Sequence, residues 1–262
     1  MCIADSGRPA STCCGPVKSS CVKCGKMTKP TLKSGMLGSI ATGLTELLCD
    51  SVAVSAATQD QLEHGLTEEV LAGTDVLTWW GHATHSAVDE AIVDRVHQCV
   101  LGGMGLLVLH SAHFSKIFRR LMGTTCSLAW RNSRDTELVW SVNPSHPITA
   151  GVPQPIVINE HEMYGEFFDI PAPDELIFLS TFSSGEVFRS GCCWRRGKGK
   201  VFYFSPGDQE YPVYHHPDVK RVLANAVRWA RPEQGADFTA PAVVNQPAAH
   251  FNGRLVGEGV RA

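Results

Sequence analysis

Histidines and carboxylates recur just beyond four apolar runs of this chain. Gly81, His82 and His85 follow DVLTWW at 75–80, and His110, Ser111 and His113 follow GLLVL at 105–109. Glu160, His161, Glu162, Tyr164 and Glu166 follow the run near Ile158, and Asp208, Tyr214, His215 and His216 follow VFYF. Neutral imidazoles and carboxylate oxygens are zinc ligands, and a catalytic zinc keeps one position open. By convergence the ligand candidates are His82, His110, Glu162 and His215, so the cofactor this pattern suggests is Zn. No HExxH supports it, since His161-Glu162 does not complete one. Without a metal, Glu162 and His110 can act as base and acid on a carbon or a hydroxyl.

Side chains this far apart in sequence meet only if the apolar runs are neighbouring strands. Leu37, Ile40, Ala41, Leu44 and Leu48 recur at helical spacing, residues 51–56 make a short strand, and residues 66–71 make a helical turn opened by Thr67. DVLTWW and GLLVL have the continuous apolar character of buried parallel strands. Val88, Ala91, Ile92, Val96, Cys99 and Val100 form an amphipathic helix closed by Gly102-Gly103. Phe114, Ile117, Phe118 and Leu121 form the next helix face. This alternation predicts right-handed βαβ units, a parallel sheet, and a ligand site at the carboxyl ends of its strands. Further strands are expected at 137–142, 156–158, 176–181, 187–193 and 201–204. A last helix opens at Pro217 with Val219, Val222, Leu223, Ala226 and Trp229 inward.

Several features have plain structural readings. Trp79 and Trp80 can stack on a sugar ring, but a buried strand accounts for at least one of them. Arg189, Arg195, Arg196, Lys198 and Lys200 surround a hairpin and read as a solvated turn. Cys192 and Cys193 alternate, so at most one is expected to face the interior. Ser111 reads as a cap for the helix near Phe114 rather than a nucleophile, because GLLVLHSAH is not G-x-S-x-G.

The 262 residues carry a net charge of −3 with 44% hydrophobic and 19% charged residues, which calls for neither nucleic acid nor an anionic membrane. No apolar stretch is long enough to span a bilayer. Five of the 10 cysteines lie in the first 24 residues. With no secretory signal, the thiols are expected to be reduced and the chain cytoplasmic. Residues 1–33 read as a disordered or atypical leader, with a weaker metal-knuckle reading for Cys13, Cys14, Cys21 and Cys24. Residues 34–232 read as one α/β domain, and 233–262 as a loosely ordered tail.

The segments TDVLTWWGHATH, GLLVLHSAHFSKIFRRLMG, EHEMYGEFFDIPAPDE and GEVFRSGCCWRRGKGKVFYFSPGDQEYPVYHHPDVKRVLANAVRW resemble the ThuA-like (trehalose utilization) family from about residue 35 to 232. The resemblance implies a class I glutamine amidotransferase-like, flavodoxin-like fold: a three-layer sandwich with a mainly parallel central sheet. It implies a role on a sugar or an oxidised sugar, by lyase, hydrolase or isomerase chemistry if the chain is an enzyme. His110 stands where amidotransferases carry cysteine, which argues against thiolate glutamine hydrolysis. The resemblance carries over His82, His85, His110, His113, Glu162, Tyr164, Glu166, Arg189, Tyr214 and His215. His110, Glu162, Tyr164 and Asp208 are then the catalytic candidates. Trp80, His85, His113, Glu166, Arg189 and Tyr214 are the substrate-binding ones. The expected partner is a small-molecule sugar, and a homo-oligomer is compatible with the reading.

Two departures stand out. Pro206-Gly207-Asp208-Gln209 replaces Pro-Gly-His-Glu, leaving Asp208 as an acceptor. Nothing in residues 1–33 resembles the family's first strand, so the sheet is expected to lack it. A wrong start or splice product explains that best. The other explanation is a paralogue that binds sugar without chemistry.

Overall fold

The structure, a computed structural model, describes Cys2–Ala4, Ile40, Leu44 and residues 52–232. The cysteine knuckle and the tail expected beyond residue 232 lie outside these residues. Among the described residues nine strands form one sheet: β1 (Cys2–Ala4), β2 (Ala53–Ser55), β3 (Val76–Trp80), β4 (Gly105–Leu109), β5 (Ala129–Ser141), β6 (Ile156–Gly165), β7 (Glu175–Phe182), β8 (Val187–Arg196) and β9 (Gly199–Phe204). Their order is β2-β1-β3-β4-β9-β8-β7-β5-β6.

Only β3–β4 and β4–β9 are parallel, and every other pairing is antiparallel. This corrects the expected mainly parallel sheet. The second half of the chain lacks crossover helices between strands, and short turns such as the one joining β8 to β9 can join only antiparallel neighbours. Cys2–Ala4 pairs antiparallel with both β2 and β3, so three residues from the segment expected to be an atypical leader stand between them in the sheet.

Among the described residues, helices α1 (Glu68–Ala72), α2 (Glu90–Gly102), α3 (Lys116–Met122) and α4 (Pro217–Ala230) flank the sheet. Their ends follow local chemistry. Thr67 and Ser115 cap α1 and α3 by accepting from the Val70 and Phe118 amides. Pro217 sits in the first turn of α4, where its missing N–H costs nothing. Ile40 and Leu44 are helical and buried, as their spacing predicts. No helix among the described residues is long and apolar enough to cross a membrane.

Both faces of the sheet are covered. Leu107, Leu109, Phe202 and Phe204 face a core completed by α4, Ile40 and Leu44. Leu106, Val108, Val201 and Tyr203 face a second core completed by α2 and α3. The period-2 alternation thus sends apolar side chains into both cores, which is why β4 reads as unbroken GLLVL. Cys192 and Cys193 are likewise both buried, one in each core. That overturns the expectation that only one faces the interior, since the sheet has no solvent face there.

β4 and β6 stand five positions apart in the sheet, about 24 Å if it were flat. Yet the Tyr164 hydroxyl on β6 lies 3.2 Å from His110 just beyond β4. The antiparallel half therefore curls back over the parallel strands. Register breaks in β5–β6 near Asp135 and in β7–β8 near Phe178 mark where it bends, and Arg134 has φ +58° at the first of them.

Candidate functional site

β4 ends at Leu109 and the chain turns sharply into a 3-10 turn, His110–Phe114. His110 takes φ +51°, a left-handed conformation that is unfavourable for a residue with a Cβ. The turn aims a fully buried imidazole over the sheet edge. Its Nδ1 lies 2.8 Å from the Ser205 carbonyl oxygen, which can only accept, so Nδ1 carries the proton. Nε2 is left to face three groups: Glu162 Oε2 at 3.1 Å, the Tyr164 hydroxyl at 3.2 Å and Asp208 Oδ2 at 3.5 Å. Tyr164 also stacks on the His110 ring, 4.8 Å between centroids and 7° from parallel.

Burial alone would lower the His110 pKa. The Asp208 and Glu162 carboxylates facing Nε2 outweigh it and raise the value to about 9. Burial pushes Asp208 up, but the facing His110 imidazole outweighs that and holds it below its ordinary value. Burial drives the Tyr164 phenol well above its ordinary range, so it stays protonated.

His82 completes the cluster. Its ring lies parallel to His110 at 6.5 Å between centroids. Ser111 holds this neighbourhood together: its hydroxyl donates to the Gly81 carbonyl at 2.7 Å and lies 3.3 Å from His82 Nδ1. Ser111 is therefore not the helix cap, a role Ser115 takes. One ligand atom each from His82, His110 and Asp208 lie within 4.8 Å of one another. Asp208 Oδ2 is buried without a hydrogen-bond partner. An orphaned carboxylate oxygen beside two imidazoles is a donor set suited to a divalent metal such as zinc. Of the expected ligands, His82 and His110 are grouped with Asp208, Glu162 Oε2 lies 3.1 Å from His110 Nε2, and His215 is exposed on the 3-10 turn Val213–His215.

A second buried pair supports the first. His161 Nε2 accepts from the backbone N–H groups of Gly207 and Asp208 at 3.1 and 3.3 Å. Its Nδ1 lies 2.6 Å from Glu137 Oε2, too far off line to count as a hydrogen bond. The other oxygen of Glu137 accepts from Ser180 at 2.5 Å. Glu137 and His161 thus fix the loop that carries Asp208. Sequence reasoning gave neither a role, although a glutamate inside the apolar strand ELVW was a usable signal.

Glu162 and Tyr164 lie within β6 rather than beyond a strand end, and the curl brings them to His110. Other candidates are placed differently. The buried His113 donates from Nδ1 to the Cys126 carbonyl at 2.6 Å and packs edge-on against Tyr164, Phe168 and Tyr203. Burial lowers its pKa to about 3, so it is neutral. Arg189 and Glu166 engage each other at 2.8 and 2.9 Å and tie down the start of the β6–β7 connection through Phe168. Trp80 donates its indole N–H to the Gly207 carbonyl at 3.3 Å. Tyr214 packs its buried ring against Gly207, which has φ +146° and no room for a Cβ. His85 sits beside Gly81, its pKa lowered by burial and by His82.

The family profile described as "Trehalose utilisation", ThuA, matches residues 39–230. No curated protein matches the chain in sequence. Among solved structures, a ThuA-like protein from Bacteroides uniformis is similar over 74% of this chain and 85% of its own, with 18% identity and TM-score 0.55. A ThuA-like protein from Parabacteroides merdae is similar over 77% and 87%, with 11% identity and TM-score 0.57. At these identities the likeness shows the fold, and the profile match over most of the chain shows the family: this chain belongs to the ThuA family.

Proposed function

We propose that this chain acts in the cytosol on a sugar or an oxidised sugar, at the cluster of His82, His110, Glu162, Tyr164 and Asp208, with a divalent metal held by His82, His110 and Asp208. The observation that carries the reading is His110: Nδ1 is fixed by Ser205, and Nε2 faces two carboxylates and a phenol. A metal-ligating histidine with its other nitrogen tied to a carbonyl is a recurring arrangement. A bound zinc would act there as a Lewis acid toward a sugar oxygen.

The chain's own groups divide the remaining work. Glu162, beside the histidines, takes a proton from a sugar carbon or hydroxyl. Tyr164, kept as a phenol by burial, donates one. The His161–Glu137 pair holds the Asp208 loop still. The strand-to-turn elbow at His110 also fits kinship with class I glutamine amidotransferase-like folds, with histidine in the place of cysteine.

The test follows trehalose and its keto derivatives by NMR with wild type and Glu162→Gln. Conversion by wild type, reduced roughly 10²–10⁴-fold in the variant while sugar binding persists, is the expected result. Conversion unchanged in Glu162→Gln would overturn the assignment. Binding without conversion in wild type would leave a non-catalytic sugar-binding protein.

A further inference from the structure

Trp130 is a large aromatic left 62% exposed at the start of β5. It stands directly opposite Tyr164 in the antiparallel β5–β6 pair, within an unbroken run of Ala129↔Gly165, Trp130↔Tyr164 and Arg131↔Met163. Opposed residues of an antiparallel pair project from the same face, with Cβ atoms about 5 Å apart. Tyr164 sends its hydroxyl to His110, so Trp130 projects from the face that carries the site.

The neighbouring residues fix the same direction independently. Arg131, one residue on, points to the other face, where it meets Asp135 and Glu186. Asn132, two residues on, returns to the face of Trp130. It donates to Glu210 at 3.0 Å and accepts from the Tyr211 hydroxyl at 2.6 Å. Those partners lie just past Asp208, so this face of β5 leans on the loop that carries the proposed ligand.

We infer that Trp130 is a binding platform for the sugar: its indole stacks on the C–H face of a pyranose ring whose polar edge reaches His110, Glu162 and Tyr164. The inference rests on the reading of the site given under Proposed function. An aromatic face is electron-rich and suits the weakly positive axial C–H groups of a gluco-configured ring. Exposed indole beside buried, orientation-fixing polar groups is also the usual division of labour in small-ligand sites.

The experiment is calorimetric titration of trehalose and methyl α-glucoside into zinc-loaded wild type, Trp130→Ala, Trp130→Phe and, as a control, Trp140→Phe. Thermal melts and zinc content accompany each variant. Roughly tenfold weaker binding in Trp130→Ala, with most affinity restored in Trp130→Phe and none lost in Trp140→Phe, supports the platform. Equal affinity in wild type and Trp130→Ala overturns the platform and leaves the sugar reading standing. A folded, zinc-loaded wild type that binds neither sugar overturns both.

Discussion

His110 is held from its backbone, from Ser205 and from the stacked Tyr164 ring, and each constraint serves to present Nε2. A buried non-glycine residue at φ +51° is the kind of local strain that persists where the surroundings impose it. The supporting pair is equally constrained. Glu137 is fully buried, with one oxygen on Ser180 and the other against His161. Removing one member of such a pair leaves the other uncompensated, at a cost of about 3–5 kcal/mol. Urea unfolding of His161→Leu should show a loss of that order, and a loss under about 1 kcal/mol would remove the pair from the account. His82 and His110 were legible in the sequence because each follows a strand that its apolar run announces. Glu162 and Tyr164 were singled out too, but as residues beyond a strand rather than within one. Asp208 was named as an acceptor, and its role beside the two histidines depends on a loop conformation that no local pattern encodes.

At the scale of elements, the parallel pair β3–β4 was readable, because unbroken apolar runs joined by a helix specify strands buried on both faces. The antiparallel half was not, since its curl depends on register breaks set by tertiary contacts. One of these lies between Arg131 and Asp135, where Arg131 bonds Asp135 and Glu186. Hydrogen bonds from Arg131 hold both carboxyls down to about 2. Unfolded carboxyls titrate near pH 4, so this stabilisation is complete above about pH 4 and lost as pH falls through about 2. Denaturation between pH 4 and pH 2 should weaken wild type more steeply than Arg131→Met, and parallel curves would show that the cluster contributes nothing. Packing between elements is equally specific at Gly105, where a Cβ would meet the carbonyl oxygen of Ala230 at the end of α4. Gly105→Ala should cost about 1–3 kcal/mol in urea unfolding by forcing α4 off the sheet. A neutral result would mean that α4 can shift freely.

Across the whole molecule, the site joins parts of the sheet that a flat arrangement would keep apart: His82 and His110 from the parallel unit, Glu162 and Tyr164 from the curled edge, Asp208 from the loop after β9. A ligand bound there bridges the fold and should stabilise it cooperatively, by about 2.7 kcal/mol at a hundredfold excess over Kd. Zinc should therefore raise the melting temperature of wild type and leave that of Asp208→Asn unchanged. The metal site is tested most directly by elemental analysis of chelator-washed, zinc-reloaded protein, wild type beside His82→Ala and Asp208→Asn, with circular dichroism to verify folding. Stoichiometric zinc in wild type, lost from both folded variants, is the predicted result. A folded wild type that takes up no zinc, or variants that retain it in full, would contradict the account.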